Sequence, residues 1–214
     1  DAKLENILIT HTHADHSPGA LALQEATGAR LVGLKAPDVI GHDKTFAPDR
    51  LWCDEETIDC GEYSVQLIAT PGHVSNHICF LLKQEQLLFT GDHVLEGTTS
   101  VILPPDGDMT AYLNALERLL LIPLKALAPG HGTVMRQPHL EIEKLIAHRL
   151  KREKKVVAGL ESLGAVSLDE LVLTVYDDVA KQLIPWAKRT LLAHLLKLQQ
   201  DERVQYNNGL WEMR

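Results

Sequence analysis

Three histidines and one aspartate lie within six consecutive positions near the start of the chain: His11, His13, Asp15 and His16. They follow an apolar run over residues 4–9, whose branched side chains predict a buried strand that delivers its last residues to a loop. Imidazole nitrogens and carboxylate oxygens are the ligands that zinc and similar borderline divalent metals prefer. The segment therefore predicts a metal centre, with one ion or two.

Three further candidate ligands, His73, Asp92 and His131, each directly follow a glycine. Strands are predicted to run into them, over residues 63–70, 87–90 and 125–128. A glycine permits a tight turn and a close backbone approach, which a ligand loop at a strand end requires. We expect these side chains to join those of residues 11–16.

The remaining periodicities complete an α/β pattern. Further strands are predicted over residues 29–34 and 77–82, and residues 35–56 are predicted to be irregular. A helix is expected over residues 18–27, with Ser17 as its N-cap, and a second over residues 109–121. Strands interleaved with helices indicate a layered domain.

These motifs resemble those of the metallo-β-lactamase superfamily of hydrolases. The matching segments are His11-x-His13-x-Asp15-His16, Thr70-Pro71-Gly72-His73, Gly91-Asp92 and Pro129-Gly130-His131-Gly132. The resemblance covers residues 4 to 140 and keeps the order and spacing of the ligands. It implies an αββα sandwich with the active site along one sheet edge.

The resemblance also implies how the ligands divide between two metals. The first metal would bind His11, His13 and His73, the second would bind Asp15, His16 and His131, and Asp92 would bridge the two. The implied cofactors are two zinc ions, with iron or manganese as alternatives; iron would shift the chemistry toward oxidation. An aspartate at 92 and a histidine at 16 resemble the hydroxyacylglutathione hydrolase and RNA-processing branches. Zinc β-lactamases of the commonest class have a cysteine in place of that aspartate, so antibiotic hydrolysis is not expected.

Two metals of this kind supply hydrolytic chemistry. Zinc held by several protein ligands can lower the pKa of bound water to about 7, and two metals can stabilise the attacking and leaving oxygens together. The expected nucleophile is a hydroxide held between the two ions, so no serine or cysteine nucleophile is required. Asp15 is the candidate catalytic residue, because it could orient that hydroxide or take its proton. A purely ligating Asp15 is the alternative.

Several other side chains are weighed against the site. His77, four residues after His73, is expected beside the site in a supporting or structural role. Arg149 lies in a predicted helix, where it could contact substrate or hold an interdomain contact, and we favour the structural role. His93, directly after Asp92, could face the pocket, but we favour an exposed loop histidine. The histidines without a supporting pattern are His42, His139 and His194.

From residue 138 the pattern becomes helical. Amphipathic helices are predicted from residue 138 to about 160, over 168–176 and over 185–200, followed by a hairpin around Asn207-Asn208-Gly209. Three helices and a hairpin make a winged-helix-like unit. We therefore divide the chain into a catalytic domain, residues 1–140, and a C-terminal domain with its linking helix, residues 141–214. This combination resembles the β-lactamase-like protein 2 group, whose members include a single-stranded RNA endonuclease.

Composition excludes some partners. The formal net charge is −8, and the acidic excess lies within residues 1–140, which repels polyanions and makes duplex DNA an unexpected partner. A basic cluster at residues 149–155 is interpreted as a solvated helix face, with a phosphate-contacting strip as the alternative. No apolar run is long enough for a membrane span, so no membrane partner is expected. Three cysteines without a CxxC pair predict reduced thiols in a cytoplasmic protein.

Three functional hypotheses follow. The leading one is a two-zinc hydrolase that cleaves phosphodiesters in single-stranded RNA. The second is a two-zinc hydrolase of small thioesters or esters, with the C-terminal unit as a lid or homodimer contact. The third is a non-enzymatic nucleic-acid-binding or scaffold protein with a vestigial metal site. Because the superfamily sandwich normally has several strands before the first histidine motif, we also expect the natural protein to be longer at its N-terminus.

Overall fold

The computed structural model describes residues 3–214. Its strands are β1 (Asn6–Leu8), β2 (Arg30–Val32), β3 (Thr57–Asp59), β4 (Ser64–Ala69), β5 (Ile78–Leu82), β6 (Leu87–Gly91), β7 (Ala126–Pro129), β8 (Val204–Asn207) and β9 (Leu210–Met213). Its α-helices are α1 (Gly19–Thr27), α2 (Met109–Leu120), α3 (Pro138–Leu163), α4 (Leu168–Val175) and α5 (Ile184–Gln200). Within residues 3–214, no helix is both long and apolar enough to cross a membrane.

Four layers form the N-terminal unit, and clusters of buried side chains join each layer to the next. Ala20 of α1 packs with Ile7 and Leu31 of the β1–β2 sheet. Val32, on the other face of that sheet, packs with Leu67 of the five-stranded sheet. The outer face of the five-stranded sheet packs against α2 and α3. The predicted αββα sandwich is therefore confirmed.

The sequence of strand β5 is a continuous apolar run rather than an alternating one, because both of its faces are covered. Ile78 and Phe80 face the cluster between the two sheets, whereas Cys79 and Leu81 face the cluster beneath the helices. A strand that is covered on both faces buries every side chain. Burial of each large apolar side chain stabilises the folded state by about 1.5–3 kcal/mol.

Strand order places the ends of several strands at one edge of the sandwich. The five-stranded sheet has the order β3-β4-β5-β6-β7, with antiparallel pairs except for the parallel β6–β7 pair. The carboxyl ends of β4, β6 and β7 therefore meet at the same edge. The end of β1 reaches that edge too, because the Ile78 amide donates to the Thr10 carbonyl at 2.8 Å.

Two local details differ from the sequence prediction. The helix α1 begins at Gly19, and Ser17 does not cap it; the Ser17 hydroxyl instead donates to the Asp43 carboxylate at 2.8 Å. A tertiary hydrogen bond thus replaces the expected local one. Strand β3, Thr57–Asp59, was not predicted because Ile58 is its one apolar residue and no apolar run surrounds it.

The C-terminal unit is built around α3, α4, α5 and the β8–β9 hairpin. Its core contains Val156, Val172, Leu195 and Trp211, one from each of these elements. The predicted hairpin is confirmed: Asn208 and Gly209 form its two-residue turn with φ of 51° and 87°, as a type I′ turn requires. The proposed boundary after residue 140 falls in the first turn of α3, which packs on both α2 and α4.

The two units share packing as well as α3. Ala193 of α5 belongs to the core cluster of the N-terminal unit. The Thr110 hydroxyl of α2 donates to Gln200 of α5 at 2.7 Å. Arg149 of α3 donates to the backbone carbonyl of Ser100. These contacts fix the position of α5 relative to the sandwich.

His194 of α5 is a buried titratable group at this junction. It is fully buried, and neither of its ring nitrogens has a hydrogen-bond partner among the described residues. Burial lowers its pKa to about 3, with further contributions from Arg149, Lys197, Arg152 and His148. The unfolded chain therefore takes up a proton at this residue at a pH where the folded chain does not.

We expect His194→Leu to flatten the pH dependence of stability. Because the folded pKa lies below the ordinary value of 6.5, the wild type loses stability as the pH falls through 6.5 toward 3. Between about pH 7.5 and 5.5 its free energy of unfolding should fall by about 1.4 kcal/mol more than that of the variant. Urea unfolding at each pH measures this difference, and parallel curves would contradict it.

Candidate metal centre

The seven predicted ligands converge at the sheet edge described above. The loop after β1 carries four of them, and the ends of β4, β6 and β7 carry the others. A network of hydrogen bonds holds the first loop in place. Asn76 donates to the Thr12 hydroxyl at 2.8 Å, and the Asp43 amide donates to the Thr12 carbonyl at 2.7 Å.

His11, His13 and His73 form the first cluster of donor atoms. The Nδ1 of His13 lies 3.1 Å from the Nε2 of His11 and 3.1 Å from the Nε2 of His73. Tetrahedral zinc with nitrogen ligands at 2.0–2.1 Å sets neighbouring donors about 3.3 Å apart. The spacing of these three nitrogens therefore fits one metal ion.

Asp15, His16 and His131 form the second cluster. The Oδ2 of Asp15 lies 3.2 Å from the Nε2 of His131 and 3.6 Å from the Nε2 of His16. The side chains of Asp15 and His131 are more than half exposed. This cluster therefore faces the solvent, whereas His11 and His73 of the first are buried.

Asp92 lies between the two clusters and directs one oxygen toward each. Its Oδ1 is 3.4 Å from the Nε2 of His16 and 3.6 Å from that of His131. Its Oδ2 is 3.9 Å from the Nε2 of His73. A carboxylate in this orientation can bridge two ions.

Hydrogen bonds to the opposite ring nitrogen orient the histidines. The Nδ1–H of His73 donates to the Val101 carbonyl at 2.6 Å, and the Nδ1 of His11 lies 3.1 Å from the Thr10 hydroxyl. Each contact leaves the Nε2 lone pair free for the cluster. Such contacts fix the tautomer of a metal-ligating histidine.

His77 lies beneath the site and contacts its backbone rather than adding a donor to it. It is fully buried, and its Nε2 accepts from the Asp92 amide at 3.2 Å. Its Nδ1 lies 2.8 Å from the Thr70 hydroxyl. His77 therefore holds the backbone that carries the bridging aspartate.

Arg149 supports the opposite side of the site. Its guanidinium donates to the Ser100 carbonyl, next to Val101, whose carbonyl accepts from His73. Arg149 is 3% exposed, so burial leaves it no access to a substrate. Of the two predicted roles, the structural one fits its position.

The structure also places histidines that the sequence prediction missed or misplaced. His42 accepts from the Thr12 hydroxyl at 2.7 Å and donates to the Asp106 carboxylate at 3.1 Å. The prediction for His93 was wrong: it is fully buried, with its ring 4.8 Å from that of Tyr112. Burial of His93 follows from the turn after Gly91, which directs it inward while Asp92 faces the clusters.

Burial and neighbouring charges give the two clusters different electrostatics. Burial, together with the nearby His73, lowers the pKa of His13 to about 4. Burial opposes protonation of His16, but its hydrogen bond to Asp92 and the charges of Asp92 and Asp15 outweigh this and raise its pKa. The same contact with His16 outweighs burial at Asp92 and lowers the pKa of that carboxyl. The first cluster thus presents neutral imidazoles, the form that binds metals.

Sequence comparison agrees with this geometry. The profile of the Metallo-beta-lactamase superfamily matches residues 1–131, more than half of the chain. This chain belongs to the metallo-β-lactamase superfamily. A second profile, the Beta-lactamase associated winged helix domain, matches residues 167–211, which confirms the winged-helix prediction.

Sequence matches to individual relatives cover most of this chain. It is 29% identical to the Beta-lactamase-like protein 2 homolog of Drosophila melanogaster, over 97% of this chain and 73% of that protein. It is 27% identical to the Atrochrysone carboxyl ACP thioesterase of Aspergillus fumigatus, over 94% of this chain and 65% of that protein. The chain spans between 48% and 73% of the lengths of such curated relatives. The predicted resemblance to the β-lactamase-like protein 2 group is confirmed.

A solved structure shares the whole fold. The crystal structure of a metallo-beta-lactamase family protein from Thermus thermophilus superposes with a TM-score of 0.79 at 23% identity. The match covers 98% of this chain and 80% of that one. The metallo-β-lactamase sandwich and its winged-helix unit thus recur together in that protein.

A cleft of about 470 Å³ opens beside the first cluster. His13 and His73 contribute to its lining. Much of the remaining lining is aliphatic or proline, from residues 39–40, from Val74 and from the segment 101–105. A reacting group near the two clusters would therefore have an apolar surface next to it.

Three of the five basic residues in the cluster at residues 149–155 are paired or buried within the protein. Arg152 pairs with the Asp178 carboxylate at 2.8 Å and lowers the pKa of that group to about 2. Lys155 pairs with Asp177 at 2.5 Å, and Arg149 is buried. The exposed Lys151 and Lys154 are therefore what the segment offers to the phosphate-contacting alternative.

Gly130 allows the two strand ends to approach. A Cβ at this position would lie 2.7 Å from the Asp92 Oδ1 and 2.9 Å from the Cε1 of His16. Its φ is not in the left-handed region, so the backbone itself would accept an alanine. The glycine is therefore required by space around the second cluster.

We expect Gly130→Ala to weaken metal binding at the second cluster by about tenfold or more, the usual cost of disturbing the surroundings of a metal ligand. Competition with a chromogenic zinc chelator measures the affinity of each equivalent bound. Gly19→Ala is the control, since a Cβ there meets nothing within 4 Å. Equal zinc affinities in the wild type and Gly130→Ala would show that the donors do not bind metal as described.

Proposed function

We propose that this chain is a two-zinc hydrolase of acyl thioesters or related small esters. The cleft beside His13 and His73 carries the proposal, because its aliphatic walls suit an acyl group next to the donor clusters. Its volume of about 470 Å³ lies within the range of about 300–1,000 Å³ for small-molecule sites. The name of the Aspergillus fumigatus relative denotes a thioesterase, which supports the same reading.

The donor atoms fit two zinc ions. His11, His13 and His73 would hold one ion by their Nε2, Nδ1 and Nε2 atoms, at the spacing described above. The other would be held by Asp15, His16 and His131, with Asp92 shared. When bound, the metals lower the pKa of water and polarise a carbonyl oxygen.

Asp15 is proposed as the proton acceptor. Its carboxylate is 60% exposed and lies at the open side of the second cluster, 3.2 Å from the Nε2 of His131. There it can orient a water molecule and hold the proton that this water loses as it adds to the substrate carbonyl. Asp92, with its side chain 14% exposed, is held by both clusters and is less suited to that role.

The leaving group also favours a thioester. A thiol has a pKa of about 8.5, so a thiolate departs without a strong general acid. The leaving alkoxide of a phosphodiester is far more basic, so it needs a proton or contact with a metal ion. In the cleft, the acid–base side chains outside the donor clusters are His42 and Asp106, and these are paired with each other at 3.1 Å.

RNA cleavage remains the second candidate. The winged-helix domain and the likeness to β-lactamase-like protein 2 homologs favour it. The net charge of −8 and the internal pairing of Arg152 and Lys155 weigh against a strip that contacts phosphates. For that reason we place thioester hydrolysis first, although RNA cleavage leads on the sequence alone.

A direct assay separates these functions. We expect the zinc-loaded chain to release thiol from octanoyl-N-acetylcysteamine, to lose this activity with a chelator and to regain it with zinc. His73→Ala should lower kcat/KM by about a hundredfold or more, since even partners behind a metal ligand are worth 10- to 100-fold. His139→Ala is the matched control, because His139 lies on α3 and contacts the Ile122 carbonyl, away from both clusters.

Other outcomes would identify the alternatives. Chelator-sensitive cleavage of a fluorescent single-stranded RNA, without thiol release, would replace the thioesterase proposal with the RNA one. Fewer than about one zinc per chain after gentle purification, with neither activity, would favour a binding or scaffold protein. Iron in place of zinc would call for an oxidation assay.

A further inference from the structure

We propose that Arg189, from the winged-helix unit, binds an anionic group of the substrate in the cleft beside the metal centre. This inference rests on the proposed function and adds a substrate class to it: acyl thioesters that carry a carboxylate or a phosphate. Arg189 lines the same cleft as His13 and His73. It reaches that cleft from α5, across the junction of the two units.

The packing of α5 explains how Arg189 comes to this position. Ala193, one turn further along, lies in the core of the N-terminal unit. Ala193, Leu196 and Lys197 also line a second cavity against Pro104 and Pro105. Residues four and about seven or eight apart share one face of a helix. That face of α5 therefore lies along the segment 101–105. Arg189 is the residue of this face that lies nearest to the donor clusters.

The charge of Arg189 is available to a ligand. The side chain is exposed, and within residues 3–214 no carboxylate oxygen lies within 4.0 Å of its guanidinium. Asp106, the acidic residue of the cleft, is engaged by His42 at 3.1 Å and by the Ser75 amide at 3.2 Å. By contrast, the adjacent Lys188 pairs with Asp169.

The surroundings of Arg189 define the ligand. Among the lining residues it is the one with a permanent positive charge, and most of the others are aliphatic or proline. A guanidinium donates two parallel hydrogen bonds to a carboxylate or a phosphate. A substrate that fits would place either its apolar acyl chain or its thiol carrier between the scissile carbonyl and the anion. The anion can belong to the acyl group or to the thiol carrier.

A binding experiment tests the anion site without requiring turnover. Monocarboxylates and α,ω-dicarboxylates of six to twelve carbons are titrated into the zinc-loaded protein by calorimetry. A monocarboxylate and the corresponding dicarboxylate share the carboxylate that can bind the metals, and the dicarboxylate adds a second one for Arg189. We expect the wild type to prefer the best-fitting dicarboxylate by about tenfold or more, the usual value of a hydrogen bond to a charged group.

Three variants locate the effect. Arg189→Gln should abolish the preference, and Arg189→Lys should retain part of it, because an ammonium keeps the charge without the two-pronged geometry. Lys188→Gln removes a positive charge from the adjacent position of the same helix and should leave the preference unchanged. Zinc content is measured for each variant to show that the metal centre is intact.

Kinetics then identify the source of the anion. Octanoyl-N-acetylcysteamine is neutral, its suberyl counterpart carries a carboxylate on the acyl chain, and octanoyl-coenzyme A carries phosphates on the thiol. We expect Arg189→Gln to raise KM by about tenfold or more for one anionic substrate and to leave the neutral one within about twofold. The substrate affected shows whether acyl or carrier supplies the anion.

The outcomes separate this inference from the proposed function. If Arg189→Gln loses the dicarboxylate preference of the wild type, but the wild type hydrolyses no thioester, the anion site stands and the thioesterase proposal is overturned. A change of less than about twofold for every ligand and substrate, or an equal loss for the neutral thioester, would overturn the role of Arg189.

Discussion

The close approach of seven donor groups is the constraint on which the rest of this structure depends. Lone pairs of imidazoles and carboxylates face one another at 3.1 to 3.9 Å, and buried polar groups that lack partners are costly. The surrounding protein must therefore hold each ring in place before any ligand arrives. The Val101 carbonyl does so for His73, and His77 does so for the Asp92 backbone. The surrounding sandwich therefore holds the ligand side chains in the orientations that the site needs.

Local sequence signals were enough to predict this centre because each ligand loop is short and each follows a strand. Gly72 illustrates the signal: its φ is 142° and a Cβ there would lie 2.4 Å from the Tyr112 Cα, so another residue would not fit. Strand direction then brings the separate loops to one edge. The layered fold followed from the same strands and from the helices between them. How the donors act on a metal stays a prediction from chemistry and spacing.

Features that arise from contacts between distant segments could not be predicted in the same way. His42 and Asp106 are 64 positions apart, and nothing near either residue signals their pairing. Ser17 had a good local reason to cap α1, yet Asp43 takes its hydroxyl. His93 follows a predicted ligand in a loop, where exposure is the usual outcome, but α2 covers it with Tyr112. In each case a tertiary contact outweighed the local pattern.

The winged-helix unit shows how the same folded shape can serve another purpose. A nucleic-acid reader needs a free helix face with unpaired positive charge. Here Lys188 of α5 is paired with Asp169, whereas Arg189, unpaired within residues 3–214, lines the cleft. Ala193 is buried against the sandwich. An α5 fixed in this way cannot enter a groove with that face, but it can complete the wall of a cleft. The packing that keeps this face of α5 out of a nucleic-acid groove is therefore what allows it to line the cleft. The shape of the cleft in turn depends on the stability of the junction between the two units.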